Sequence, residues 1–216
     1  MNVLVYGATG MIGKGALLVA LDDPKVNSVT AVVRRPLDIK HDKLRELHVP
    51  DFMDYRTIDL SGHDACLYCL GVSSGGMSEE DYTRITVGFT KAAMDALQVC
   101  NPEMAICFIS GQGTDSTSNT LWKRVKGEAE QAVFDAEFSS TFVFRPGFIK
   151  PREGVKSGVA SYRFAYAILK PFFPLLTRMP KYVTDSDTLS RAMLRAARDG
   201  APKTILESED INTLGS

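Results

Sequence analysis

The residues best suited to chemistry stand at the start of the chain. An apolar run, Val3 to Tyr6, enters Gly7-Ala8-Thr9-Gly10-Met11-Ile12-Gly13, and apolar residues at helical spacing follow. A strand, a glycine turn and a helix in that order suit the diphosphate of a dinucleotide. Gly7 lets the chain reverse. Gly10 lets a phosphate reach backbone N–H groups with no Cβ in the way, and Gly13 lets the helix pack close to the strand. Thr9, Met11 and Ile12 complete the turn, and the helix N-terminus adds unpaired donors and partial positive charge.

Further candidates follow the later apolar runs. After the second run, an acidic residue would bond the ribose hydroxyls of NAD. Arg34 and Arg35 stand there instead. Guanidinium forks suit a 2′-phosphate, so NADP(H) is expected in preference to NAD(H). Asp51 and Phe52 are placed to contact adenine. Cys69, Leu70 and Gly71 are placed to line the ribose and diphosphate side.

These residues require elements that alternate. Strands are read at Met1–Tyr6, Ser28–Val33, Leu47–Phe52, Ala65–Leu70, Met104–Ser110 and Thr141–Arg145. Helices are read at Met11–Leu21, Glu80–Leu97 and Thr120–Glu137, with short helical connections at His41–His48 and Tyr55–Leu60. Ser78 marks a helix start, with Glu79, Glu80 and Asp81 in the first turn. The alternation predicts an α/β fold, a doubly wound parallel sheet of Rossmann type in one domain over 1–216. Residues 1–149 form the dinucleotide-binding core. Residues 150–216 are read as a substrate-side cap on the carboxyl edge, with a helix at Thr188–Arg198 and a last strand at Thr204–Glu207.

Bulk composition excludes several classes. The chain has 216 residues, 44% of them hydrophobic, and a net charge of −1, enough for a full core and with no basic surplus for nucleic acid. Its apolar stretch Phe164 to Thr177 is broken by Lys170, Pro171 and Pro174 and is too short to span a bilayer. No charged segment precedes the first strand, so no signal peptide is read and a cytoplasmic protein is expected. The four cysteines, Cys66, Cys69, Cys100 and Cys107, are read as buried reduced thiols. Cys66 and Cys69 fall on opposite faces of a strand, which defeats a metal site. His41, His48 and His63 are read as surface residues on the wrong edge for catalysis.

Gly7 to Gly13, the pair Arg34 and Arg35, the run Gly62-His63-Asp64-Ala65 and Arg145-Pro146-Gly147 together resemble the short-chain dehydrogenase/reductase superfamily. The likeness is to its atypical branch, similar to the Tat-interacting-protein oxidoreductases and epimerase-like proteins. The resemblance implies a catalytic Ser, Tyr and Lys, with the Tyr four residues before the Lys. It places Ser110 at the end of strand five to orient a carbonyl or alcohol. It places Lys126 in the following helix to hold the nicotinamide ribose, and Pro146 beside the carboxamide. Trp122, however, stands four residues before Lys126. Indole donates a hydrogen bond but moves no proton near neutral pH.

The proton donor is therefore unassigned. Tyr162 or Tyr166 (the latter in a literal Tyr-x-x-x-Lys with Lys170), Tyr82, or a water activated by Ser110 and Lys126 stand as substitutes. The leading function is an NADP(H)-dependent oxidoreductase or epimerase-like enzyme on a small organic carbonyl or alcohol. The alternative is a non-catalytic NADP(H) binder, a redox sensor or regulatory protein. A protein partner on the aromatic segment Phe164, Tyr166, Phe172 and Phe173 is a further expectation, and monomer and homodimer both stay open.

Overall fold

A computed structural model describes residues 1–152 and 181–216. Its centre is β1 (Asn2–Tyr6), where Val3, Leu4, Val5 and Tyr6 are all buried. A strand presents successive side chains to opposite faces, so each face needs its own apolar cover. Val3 and Val5 join one hydrophobic cluster, while Leu4 and Tyr6 join the other. The same division runs through β2 (Ser28–Val33), β4 (Ala65–Tyr68), β5 (Ala105–Ile109) and β6 (Ser140–Arg145). With β3 (Leu44–His48) and β9 (Ile205–Glu207) they form a seven-stranded parallel sheet in the order β3-β2-β1-β4-β5-β6-β9. The order reverses between β1 and β4. Open α/β sheets bind ligands at such a switch point, outside the carboxyl ends of the strands.

Helices cover both faces. On one lie α1 (Met11–Asp22) and α5 (Ser186–Asp199), through Ala16, Leu17, Leu189 and Met193. On the other lie α3 (Phe89–Cys100) and α4 (Leu121–Asp135), through Phe89, Met94, Ala129 and Val133. α2 (Glu79–Thr83) leads through one π-helical turn, Arg84–Gly88, into α3. The Ser78 side chain accepts from the Asp81 N–H, as its sequence position predicts. A short parallel pair, β7 (Phe148–Lys150) with β8 (Val183–Asp185), precedes α5, and α6 (Ser208–Gly215) follows β9.

Several local expectations are corrected. The third strand is Leu44–His48, not Leu47–Phe52, and His41–His48 makes no helical turn. Leu44 and Leu47 are three apart, which mimics a helix. On this edge strand the spacing sends Leu44 to one hydrophobic cluster and Leu47 to the other. Tyr55–Leu60 is a sequence of turns, held by Asp54 accepting from Arg56 and Asp59 from Ser61. Of the segment read as a cap, residues 186–215 pack into the sheet layers instead. Leu189, Ala192, Met193 and Leu206 are wholly buried there because α5 fills the face beside α1. Cys66 and Cys107 are buried and Cys69 half-buried, but Cys100, at the C-terminal end of α3, is exposed.

Candidate functional site

The first turn is built by close backbone approach. Gly7 has φ of +76°, in the left-handed region, and a Cβ there would lie 2.6 Å from the Cys69 carbonyl oxygen. The turn after β1 is thus pressed against the chain leaving β4. A Cβ on Gly13 would lie 2.1 Å from the Gly7 oxygen, so α1 starts directly on the turn. Gly10 caps α1 with no side-chain hydrogen bond, and no acidic residue occupies the first turn. Helix geometry leaves the amides of Met11, Ile12 and Gly13 without intrahelical acceptors. Thr9 and Gly10 are exposed above them. An anionic diphosphate fits this cradle, since no acidic side chain in the first turn of α1 competes for its amides.

Arg34 and Arg35 emerge, exposed, where β2 ends. The Arg34 guanidinium lies 5.4 Å from the centre of the Phe52 ring, and the Arg34 carbonyl is 2.8 Å from His48 Nε2. Phe52 is buried, edge-on to Tyr6 and Phe89. Its ring therefore supports Arg34 from inside the core, leaving the backbone and exposed Asp51 at the surface. Asp51 turns back to accept from Met53 N–H at 2.9 Å. His48 is exposed, but it sits at the carboxyl end of β3 beside Val33, on the edge that carries the site. His63 is half-buried at the opposite edge, its ring nitrogens 2.9 Å from Leu60 O and 2.9 Å from Thr30 Oγ1. His48 is thus a surface residue as read but on the site's edge, and His63 is on the far edge as read but half-buried.

The strand ends bring the remaining candidates together. The Ser110 N–H donates to Phe144 O at 2.8 Å, and its buried hydroxyl lies 3.0 Å from Thr114 Oγ1. Thr114 donates its own proton to Gly111 O at 2.7 Å, so the Ser110 proton points to Thr114. The Gln112 N–H donates to Pro146 O at 3.0 Å, joining the loop after β5 to the turn after β6. Gly147 in that turn has no room for a side chain: a Cβ would lie 2.5 Å from Tyr182 O and 2.7 Å from Gln112 Oε1. From α4, Trp122 and Lys126 reach the same loop. A Cβ on Gly111 would stand 3.8 Å from Trp122 Cζ3 and 3.9 Å from Lys126 Cδ.

Electrostatics at Lys126 are set by burial and by one carboxylate. Burial pushes its amine down to about 8, against the opposing attraction of Glu130 one helical turn on. Glu130 is 4% exposed and accepts a fork from Arg145, at 2.9 Å from Nε and 2.5 Å from Nη2. Arg145 Nη1 is 3.9 Å from Glu207. This chain of charges ties α4, β6 and β9 together. Sequence reasoning missed Thr114 as the Ser110 partner and Glu130 as the Lys126 neighbour. Glu130 could have been found from its spacing of four on the helix.

Tyr82, a candidate proton donor, is 1% exposed, with its hydroxyl pushed up by burial. Tyr162, Tyr166, Lys170 and the aromatic patch Phe164, Phe172 and Phe173 lie outside the described residues. Among the described residues no cluster of His, Cys, Asp or Glu could hold a metal ion, and no helix is long and apolar enough to cross a membrane. A groove of about 680 Å³ between α3 and the Met53–Leu60 segment contains none of the sequence-predicted site residues.

No family model matches the chain. It is 26% identical over 170 residues to protein FMP52, mitochondrial, of Candida albicans, covering 74% of each chain. It is 26% identical over 153 residues to protein HTATIP2 of Rattus norvegicus, covering 68% of this chain and 62% of that one. Among solved structures, MoeE5 in complex with UDP-glucuronic acid and NAD superposes with a TM-score of 0.71 at 18% identity, over 95% of this chain and 75% of that one. A short chain dehydrogenase family protein from Francisella tularensis gives 0.64 at 12% identity, over 92% and 91%. The chain therefore shares the Rossmann fold of NAD-binding and short-chain dehydrogenase structures, and is similar in sequence to FMP52 and HTATIP2. The sequence likeness runs to proteins named mitochondrial in several fungi. That finding overturns the expectation of a cytoplasmic protein, which rested only on the absence of a leader-like segment.

Proposed function

We propose that the protein binds NADP(H) and is an oxidoreductase or epimerase-like enzyme acting on a small organic carbonyl or alcohol. The observation that carries this reading is the convergence of the open Gly7–Gly13 cradle, the Ser110–Gly111 segment and Lys126 on one edge of the sheet. The amides of Met11, Ile12 and Gly13 hold the diphosphate, with Thr9 and Gly10 lining it. Cys69, Leu70 and Gly71 flank its ribose, and Asp51 and the backbone of Phe52 bound the adenine. Arg34 and Arg35 take the 2′-phosphate, which favours NADP(H) over NAD(H). Lys126 holds the second ribose and Pro146 borders the carboxamide. The cofactor supplies or accepts hydride when bound. Ser110, backed by the buried Thr114, positions the substrate oxygen. Relatives in structure that bind NAD with nucleotide-sugar acids, such as MoeE5, support a hydroxylated or carbonyl substrate.

Trp122 favours a second reading, in which the cofactor is bound and sensed without turnover. One experiment separates the two. NADPH oxidation is followed over a panel of small aldehydes and ketones, for the parent chain and for Lys126→Ala. Turnover that Lys126→Ala abolishes supports the enzyme. Saturable NADPH binding with no turnover on any of the panel supports the sensor.

A further inference from the structure

We infer that Lys126 is itself the proton donor of this site, its Nζ taking the role that a tyrosine hydroxyl would have held at position 122. The inference rests on the oxidoreductase reading above and names the residue that reading leaves open. Three observations converge on it. The side chain four residues earlier is an indole, which has no proton to transfer near neutral pH. Lys126 lies beside Gly111, next in the chain to Ser110: a Cβ on Gly111 would stand 3.9 Å from Lys126 Cδ. No described residue forms a hydrogen bond or ion pair with Nζ, which leaves its protons for a ligand.

The surroundings suit an acid that works near neutrality. Burial holds the Lys126 amine at about 8, inside the range in which a lysine acts as a general acid or base. The other charges near it are accounted for. Glu130 on α4 is held in the fork of Arg145 from β6. Glu207 from β9 faces Arg145, and Asp115 of the β5–α4 loop accepts from Thr117. Lys123 on α4 lies beside Gly113 and the Trp122 ring. Tyr82 on α2 is buried with its proton held. Cys69, pushed up to about 12 by burial, likewise keeps its proton.

The step balances as follows. As the substrate carbonyl carbon receives hydride from a reduced nicotinamide dinucleotide, the π electron pair moves to oxygen. An Nζ–H bond of Lys126 breaks, an O–H bond forms, and nitrogen retains the pair as a neutral amine. Water then returns a proton to Nζ. Ser110, whose hydroxyl proton rests on Thr114 in the free chain, orients the oxygen by turning that hydrogen bond to it and transfers no proton.

The test uses the full chain. Lysine amines labelled with ¹⁵N are titrated by NMR with NADP⁺ bound and without it, and the Lys126 signal is assigned by its loss in Lys126→Met. NADPH oxidation by the carbonyl panel is then measured from pH 6 to 10 for the parent and for Lys126→Arg. Arginine keeps the cation but stays protonated, so it preserves ribose binding and removes proton transfer. The inference expects a Lys126 amine titrating near 8 and a parent rate that falls as pH rises through that value. It expects Lys126→Arg to bind NADPH within about threefold of the parent while turnover drops by roughly 100-fold or more. A Lys126 amine titrating above 10, or Lys126→Arg turning over within about threefold of the parent, overturns the proton donor and leaves the oxidoreductase standing. A parent that turns over no carbonyl on the panel overturns both.

Discussion

A lysine amine withdrawn from water loses solvation of its charged form, and Lys126 shows the consequence. Its amine sits at about 8 in the folded chain against an ordinary 10.5. Between those values the unfolded chain binds a proton that the folded chain does not, so stability falls as pH drops through the window and stays lowered below about 8. Lys126→Met removes that penalty. It is expected to stabilise the fold at pH 7 by on the order of 1–3 kcal/mol, a gain that shrinks toward pH 10.5; urea unfolding across pH reads it directly. Arg34 offers a second prediction at this scale. The Phe52 ring beneath it fixes a guanidinium at the end of β2. Loss of a charge-assisted bond costs about 1.5–3 kcal/mol, so Arg34→Ala is expected to weaken NADPH binding roughly 10- to 100-fold and leave NADH binding nearly unchanged. The sequence disclosed both residues because each lies close in the chain to a motif. It did not disclose that the Ser110 proton is engaged by Thr114, or that Phe52 faces the core, since folding alone decides those orientations.

Elements meet here through a few polar contacts between parts of the chain far apart in sequence. Glu130 on α4 and Arg145 on β6 form a fork in which the carboxylate is almost wholly buried. Removing one partner strands the other charge. Arg145→Met is expected to destabilise the fold by about 3–5 kcal/mol, whereas Glu130→Met with Arg145→Met restores much of that loss; a double-mutant cycle in urea measures both. β1, its turn and α1 were legible because strand, turn and helix follow one another within a few residues, and Gly7 and Gly13 have no alternative that fits. β3 was misread because Leu44 and Leu47 imitate helical spacing while charged neighbours mark an exposed edge. The pairing of Val29 with Leu44 that defines the strand is long-range, and periodicity carries no trace of it. The same holds for the Tyr55–Leu60 turns, which owe their shape to Asp54 and Asp59.

At the scale of the molecule, the sheet order shares its two faces between four helices, and the last of these comes from the final part of the chain. α5 completes the layer begun by α1, so residues 186–215 belong to the fold that forms the cradle. Leu189 is fully buried in that layer. Leu189→Ala is expected to cost about 2–5 kcal/mol in one cooperative urea transition, and a separate early transition for the C-terminal segment would oppose this. The parallel sheet has both faces covered. The glycine cradle, the arginine pair and Lys126 follow strand ends on one edge of that sheet, which suits the single extended ligand proposed for it. The most direct test is calorimetric titration of the intact protein with NADPH and with NADH. The account predicts one saturable site that takes NADPH at least about tenfold more tightly, consistent with one charge-assisted contact to the 2′-phosphate. Absence of binding, or equal affinity for the two dinucleotides, would contradict it.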